Sequence, residues 1–576
     1  MKYRSIQWAS LARVFPPLSW LAGYNGVWLR HDAVAGVTLA AYAIPVSLAY
    51  AALAGLPPEV GVYGYIMGGL GYAVLGSSRQ LAIGPTSAIS LMIAGTVGAL
   101  AGGDPVRYAQ IASLSAFAVA LLCLMAWLFK LSALVRLVSD SILVGFKAGA
   151  GLTIMMSQLP SLFGVAGGGR NFFDRAFRFA EQIGHTSLLV LAIGLAAILL
   201  LLAGERLRPG KPVGLAVVGL SILLATVFGL ASHGVPVTGA IPQGLPAFAM
   251  PSFGILEFQE LFPIAAGCLL LAYIEGVSAA RSFAAKHGYN LDVRQEFLGL
   301  GAANLMAAFG HGYPVAGGLS QSAVNDSAGA RTPLALVFCS LTLALCLLFF
   351  TEFLTNLPKA VLAGVVFVAV YRLVDVGAML RMWRISRIDF YAAAIALVAV
   401  LLLGILQGVL LAAIASIVLL LGRASNPNVA FLGRDPGTGR YSDSGRHEGM
   451  EPLSGVIAFR PEAALLYINT ETVLAKVMQE LQKSPHVKLI TCDLSASPSI
   501  DLAGARMLFD LHDELASRDV AFRIVGAHAQ LRDLLRAEGL AEKTDSGEWL
   551  RTLDSVLNDS DVSGDDGSRE ERPPRS

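Results

Sequence analysis

The sequence predicts an α-helical polytopic membrane protein that ends in a small α/β domain. Three observations predict it. Of 576 residues, 55% are hydrophobic and 14% charged, with a mean hydropathy of +0.63; soluble domains carry about 25% charged residues. Long apolar runs recur from Ala33 to Leu421, and a bilayer core about 30 Å thick needs about 20 such residues per helix. After Arg423 the composition turns polar, and short alternating and helical patterns replace the long runs.

Fourteen spans are predicted, starting near Val34, Val60, Thr86, Tyr108, Ser141, Thr186, Val213, Leu261, Glu296, Gly318, Pro333, Ala360, Asp389 and Leu406. Those at Thr86 and Gly318 are broken: a Gly-rich, strand-like piece leads into a helix. The N-terminal stretch MKYRSIQWASLARVF lacks the apolar core and small-residue cleavage site of a signal peptide. Cytoplasmic loops collect Lys and Arg, which places the N-terminus inside. Arg79, Lys130 with Arg136, Arg206 and Arg208 with Lys211, Arg281 with Lys286 and Arg294, Arg372 with Arg381, Arg384 and Arg387, and Arg423 then fall on one side. The stretch Ala231 to Leu261 on the other side has no Lys or Arg. The exception is an outer loop with Arg170, Arg175 and Arg178, which reads as amphipathic.

A weak internal repeat accompanies these spans. AYAIPVS (Ala41 to Ser47) resembles AYIEGVS (Ala272 to Ser278), and IGPTSAIS from Ile83 resembles AGGLSQSAV from Ala316. The offset covers seven spans, an odd number, so the second half is inverted. Paired broken helices in inverted repeats are a transporter design. Non-helical backbone at membrane depth must line a cavity or be buried in protein. Gly84, Pro85 and Thr86 mark one break, and Gly317, Gly318, Leu319 and Ser320 the other. The free N–H groups and positive dipole end of each half-helix attract an anion; the alternative role for the glycines is close helix packing.

Glu275 sits in the apolar run CLLLAYIEGVSAA, where a carboxylate is costly and usually functional. It is a proton acceptor, a cation ligand, or the structural partner of a basic residue, for which Lys147 in ILVGFKAGAG is the candidate. Asp326 and Arg331 read as a surface or gating pair. His311 reads as an interfacial histidine, and Tyr42, Tyr50 and Tyr273 as packing or anchoring residues with hydroxyls available to a ligand.

Residues 424–454 read as a polar linker and 455–557 as an α/β domain. In that domain GVIAFRPEAALLYIN, VKLITCDLSA and VAFRIVGA read as strands. TVLAKVMQELQK, DLAGARMLFDLHDELASR and AQLRDLLRAEGL read as helices. Residues 558–576 form a charged tail expected to be disordered. Several classes are disfavoured. The net charge of +1 offers nothing to nucleic acid. The five cysteines are scattered without a CxxC pair, so no metal site or disulfide frame is expected. HExxH, GxSxG and the phosphate-loop lysine motif are missing, which argues against an enzyme, a cofactor and ATP-driven transport.

The chain resembles the SulP anion-transporter family along nearly its whole length. HDAVAGVTLAAYAIPVSLAYAALAGLPPEVGVYG, SSRQLAIGPTSAISLMI, IEGVSAARSFAAKHGYNLDVRQEFLGLGAANL and YPVAGGLSQSAVNDSAGARTPLA are similar to successive family motifs. The C-terminal domain resembles the family's STAS domain. The resemblance implies fourteen helices in two inverted seven-helix repeats, like the uracil permeases, over residues 34–423, after a cytoplasmic segment 1–33. It implies a homodimer in the cell's inner (plasma) membrane with the N-terminus and STAS domain in the cytoplasm. Family members move sulfate, bicarbonate, chloride or dicarboxylates. The anion site carried over by position comprises Ala43, Pro45, Val46, Ser47, Pro85, Thr86, Ser87, Gly318, Leu319, Ser320 and Gln321, with Glu275 as the coupling acid.

Three departures stand out. Val46 replaces a common Gln, and Gln321 replaces a common Arg, leaving charge compensation to the helix ends, with Lys147 as possible partner. Ala279 replaces the hydroxyl residue of sodium-coupled relatives, which favours a proton over sodium. In the STAS domain Leu502 stands where a phospho-acceptor serine is usual, leaving docking of a cytoplasmic protein as the expected role. Two other readings keep the fold: an uncoupled anion channel, and a membrane-tethered signalling protein with the STAS domain as output.

Overall fold

The computed structural model describes residues 20–21, 24–131, 139–169, 171–207, 213–251 and 255–562. Arg136, Arg170, Arg208 and Lys211 lie outside these residues, as do the tail beyond Val562 and most of the N-terminal segment. The chain forms two compact units, Met1–Ser416 and Ile417–Ser576.

The first unit is helical. It begins with α1 (Gly26–Leu53) and α2 (Pro58–Leu75), then β1 (Ile83–Gly84) and α3 (Ser87–Ala101). Next come α4 (Pro105–Leu128), α5 (Asp140–Phe163), a short amphipathic α6 (Phe172–Gln182), α7 (Leu188–Leu207) and α8 (Val213–Val227). The second half opens with α9 (Ile255–His287) and α10 (Gln295–Phe309), then β2 (Ala316–Gly317) and α11 (Leu319–Ser327). It continues through α12 (Leu334–Phe349), α13 (Thr351–Leu354), α14 (Lys359–Val370), α15 (Val376–Ile385), α16 (Arg387–Leu403) and α17 (Ile405–Ser425).

A helix lies at or beside each predicted span start, with α6, α13 and α15 as short additions. Among the described residues, five helices are by themselves long and apolar enough to cross a bilayer: α1, α4, α5, most of α9, and α17. Large apolar side chains such as Leu199, Ile395 and Val418 are exposed, which suits a surface in contact with lipid rather than water. The predicted amphipathic outer loop is α6, capped by Asn171 and joined to α7 through a bend of 119°.

Two predicted boundaries shift. α1 starts at Gly26, so residues 26–33 are its first turns and not part of a separate segment. One cause is local, Asn25 Oδ1 accepting from Trp28 N at 2.9 Å, and one is distant in sequence: the buried Asp32 carboxylate is held by Arg331 N, Thr332 N and Thr332 Oγ1 at 2.6–3.1 Å. At the other end, the division between the two units falls inside α17.

The second unit is an α/β domain with a five-stranded sheet in the order β4-β3-β5-β6-β7. Its strands are β3 (Val429–Arg434), β4 (Tyr441–Asp443), β5 (Val456–Pro461), β6 (Leu489–Asp493) and β7 (Ala521–Val525). β5, β6 and β7 are parallel, and β3 joins β5 antiparallel. Thus 424–454 is not merely a linker: it supplies two strands. Its apolar segment VAFLGR buries Val429, Ala430 and Leu432 against the sheet's neighbours, a signal masked by the Gly-rich and Asp-rich turn after it. GVIAFRPEAALLYIN yields one strand, β5, before the chain turns into α18 (Thr470–Lys483). The predicted helices appear as α18, α19 (Leu502–Ala516) and α20 (Ala529–Ala537), and α21 (Leu553–Val562) carries helix into the predicted tail.

Candidate functional site

The two broken segments meet. β1 pairs antiparallel with β2, with Ile83 opposite Gly317 and Gly84 opposite Ala316. α3 begins just after β1 and α11 just after β2. Because the strands are antiparallel, the two half-helices leave one crossing in opposite directions, and their N-terminal ends come to one place in the fold. Thr86 and Gly318 are the N-cap residues, extended in backbone, and neither makes a side-chain cap. The first N–H groups of both helices therefore lack the partner that a Ser, Thr or Asp cap supplies. Thr86 has a capping hydroxyl and does not use it: Thr86 Oγ1 is buried without a hydrogen-bond partner. A buried unpaired hydroxyl is costly unless a ligand or water completes it.

The other predicted site residues lie on elements packed against this crossing. Ala43, Pro45, Val46 and Ser47 are buried on α1, which packs against α3. Pro85 is buried, and Thr86 and Ser87 are each 8% exposed. Leu319 and Ser320, in the first turn of α11, are exposed. Glu275 is half-buried on α9, which contacts both α3 and β2, and Lys147 on α5 is the charge that acts on it. No direct ion pair joins Glu275 and Lys147 among the described residues. Tyr50, on α1, is buried.

Gln321 belongs to the frame. Its Nε2 donates to Ala82 O and Ala316 O, both at 3.0 Å, and its Oε1 accepts from Tyr65 Oη at 2.7 Å. Both amide protons go to the backbone around the crossing, so the position reads as a clamp. Ser322 Oγ accepts from Ala82 N at 2.9 Å, and Asn325 Nδ2 donates to Gln80 O at 3.0 Å. Asn304 on α10 brackets Val315, donating to its carbonyl and accepting from its N–H, each at 3.0 Å. Tyr65 packs its ring where a Cβ on Gly84 would stand, 2.4 Å away, so only glycine fits there.

Gln321 and Gly84 apart, the sequence does not single out these framing residues. Asn304 was the most visible, an amide in the apolar run LGLGAANLMAAF. Glu296, in the first turn of α10, is buried and accepts from Tyr72 Oη, Ser77 N, Ser77 Oγ and Ser78 N at 2.6–3.2 Å, tying down the chain that leads into β1. Asp326 and Arg331 do not pair. Asp326 accepts from Lys286 Nζ at 2.6 Å and lies 2.5 Å from His287 Nε2, while the Arg331 backbone bonds to Asp32. His311 is exposed, with a left-handed backbone at φ 55°.

In the second unit, Asp501 caps α19 through Gly504 N at 2.8 Å and also accepts from Tyr467 N at 2.8 Å. Leu502 is 63% exposed and Tyr467 is 74% exposed. Among the described residues, no cluster of three or more metal-ligating side chains occurs.

Comparison with known proteins agrees with this architecture. Residues 29–397 match the model of the sulfate permease family, and residues 450–555 match the STAS domain. A probable sulfate transporter of Mycobacterium tuberculosis is 34% identical over 537 residues, covering 93% of this chain and 96% of the relative. The chloroplastic sulfate transporter 4.1 of Arabidopsis thaliana is 29% identical over 584 residues, covering 96% and 83%. Among solved structures, the murine solute carrier 26 family member A9 anion transporter in its inward-facing state has a TM-score of 0.87 at 22% identity, covering 96% of this chain and 95% of that one. The transmembrane domain of the cyanobacterial bicarbonate transporter BicA has a TM-score of 0.58 at 22% identity, covering 68% and 98%. The chain is a polytopic membrane protein of the sulfate permease family, with a C-terminal STAS domain.

Proposed function

We propose that this protein is a secondary active transporter of small anions. The anion is held between the N-terminal ends of α3 and α11 and crosses by alternating access. The observation that carries this reading is the crossing itself: two uncapped helix starts on one antiparallel strand pair, with the Thr86 hydroxyl buried and unpartnered. Free N–H groups at dipole ends hold an anion without a fixed cation, and Gln321 supplies none. Sulfate is the leading substrate, since the relatives are named sulfate transporters. Bicarbonate or a dicarboxylate is the alternative within the same fold. Glu275 acts as the proton-coupling acid, with Lys147 as its charge partner. The protein works as a homodimer in the inner (plasma) membrane, with the N-terminus and STAS domain in the cytoplasm, where the STAS domain docks a protein.

The test is uptake of labelled sulfate into proteoliposomes bearing the full chain. Unlabelled sulfate, bicarbonate, chloride, phosphate and dicarboxylates compete, at two pH values, with and without a pH gradient. Saturable uptake that exceeds electrochemical equilibrium is expected; flux that never does so supports a channel instead. Glu275→Gln should abolish pH-driven accumulation while anion binding persists. Accumulation that follows a sodium gradient and ignores pH would remove Glu275 from the coupling role.

A further inference from the structure

The outer-loop arginines that break the charge rule have no role in the site described above. Arg175 lines a cavity of about 540 Å³, together with Lys359. Its other walls come from α1 (Ala49, Leu53), α3 (Leu91, Ala94), α5 (Met156) and α14 (Leu362). Leu91 is four residues beyond Ser87 on α3, so the cavity floor comes within about 6 Å of axial rise, roughly one helical turn, from the start of that half-helix.

The mouth of this cavity is built, not merely left open. Gln182 at the end of α6 donates from Nε2 to Gly167 O at 3.1 Å and accepts from Gly167 N at 2.9 Å, fixing the glycine loop that lines one wall. Gly169, at φ +103°, passes so close that a Cβ would lie 2.6 Å from Arg175 N. Its carbonyl accepts from Arg175 Nε at 3.2 Å, which orients the guanidinium. Phe179 anchors α6 edge-on to Phe163 at the end of α5, with ring centroids 5.0 Å apart. On the opposite side Lys359 N donates to Pro236 O, and Thr238 N to Leu357 O, each at 2.9 Å. Lys359 is the first residue of α14, the helix end where the dipole disfavours a cation. Among the described residues no carboxylate pairs with Lys359. The carboxylate acting on Arg175 is Asp174, which is itself bonded to Arg178 at 3.1 Å.

We propose that Arg175 and Lys359 form a capture site for the transported small anion. It draws the anion into the cavity from the α6 face before the anion passes to the half-helix ends. This rests on the transport reading above. Two cations lining one cavity raise the local anion concentration. They belong to α6 and α14 and not to the half-helices, so they act on entry and not on the carried state.

The experiment measures initial uptake of sulfate by the full chain in right-side-out and inside-out membrane vesicles, at low and high ionic strength. Arg175→Gln and Lys359→Gln should each raise KM about threefold from the α6 face at low salt, and together about tenfold. Vmax and KM from the opposite face should stay unchanged. High salt should bring the wild-type KM up to that of the double variant, and Lys359→Arg should behave as wild type. An unchanged KM from the α6 face, or an equal rise from both faces, would overturn the capture site while leaving the transport reading intact. Absence of anion flux in the wild type would overturn both.

Discussion

The two arms of the crossing occupy matching places in the two halves, yet they are built differently. The first arm, Pro85–Thr86–Ser87, is buried and holds a hydroxyl without a partner. The second arm exposes Leu319 and Ser320 and then turns Gln321, Ser322 and Asn325 back onto the first. Its side chains bond the backbone at Gln80 and Ala82. The bonds to the second arm's own strand come chiefly from Asn304 on α10 and from Gln321. A repeat that duplicates topology need not duplicate structure: the second arm frames, and the first carries the unpaired hydroxyl.

Gln321→Ala should break this arrangement most severely. It removes three hydrogen bonds and leaves the Tyr65 hydroxyl and two carbonyl oxygens without these partners. Loss on the order of 3 kcal/mol is expected, seen as a lower midpoint in thermal unfolding of the detergent-solubilised protein and as lost uptake. If Gln321→Ala kept wild-type stability and lost only anion affinity, the residue would be a ligand and the two arms would be more alike than proposed.

Thr86→Val should do the reverse. The change is nearly isosteric and removes a hydroxyl that bonds nothing in the protein. Stability should hold or rise slightly, while sulfate affinity by calorimetry falls about tenfold, about 1.4 kcal/mol. A matched loss of stability would place the hydroxyl in the frame. Ser322→Ala is smaller again. It deletes the acceptor for Ala82 N and should cost about 1 kcal/mol of stability, with anion affinity at saturating protein unchanged.

The smallest effect belongs to the second unit and serves as a control outside the crossing. Lys543 Nζ lies 2.7 Å from Asp513 Oδ2, and with His512 it holds that carboxyl below its ordinary range. A depressed folded value stabilises the domain above the unfolded carboxylate pKa, and that contribution disappears as pH falls through the lower folded value. Lys543→Met should flatten the acid limb of the domain's thermal stability below about pH 4 and leave sulfate KM unchanged. A changed KM would show that the two units are energetically linked.

Much of this organisation was legible in the chain. Glycine-rich breaks inside apolar runs located β1–α3 and β2–α11, because irregular backbone is tolerated at membrane depth only for a reason. Glu275 and Lys147 were visible as charges in apolar sequence. Ser322, Tyr65 and Asp32 were not, because each works through a partner distant in sequence, such as Arg331 and Thr332 for Asp32. The two strands within 424–454 are hidden in the sequence because turn residues outnumber apolar ones across that stretch.

Hydropathy and the paired breaks thus determined by themselves a polytopic membrane protein with two half-helices and a C-terminal α/β domain. These are local properties, set by apolar run length and by where helical hydrogen bonding must stop. Only the tertiary structure decided that the breaks pair antiparallel, that Gln321 points into the frame, and that Thr86 is left unpartnered. Those outcomes depend on which buried donors and acceptors find each other across more than two hundred residues of chain, a matching that no local pattern encodes.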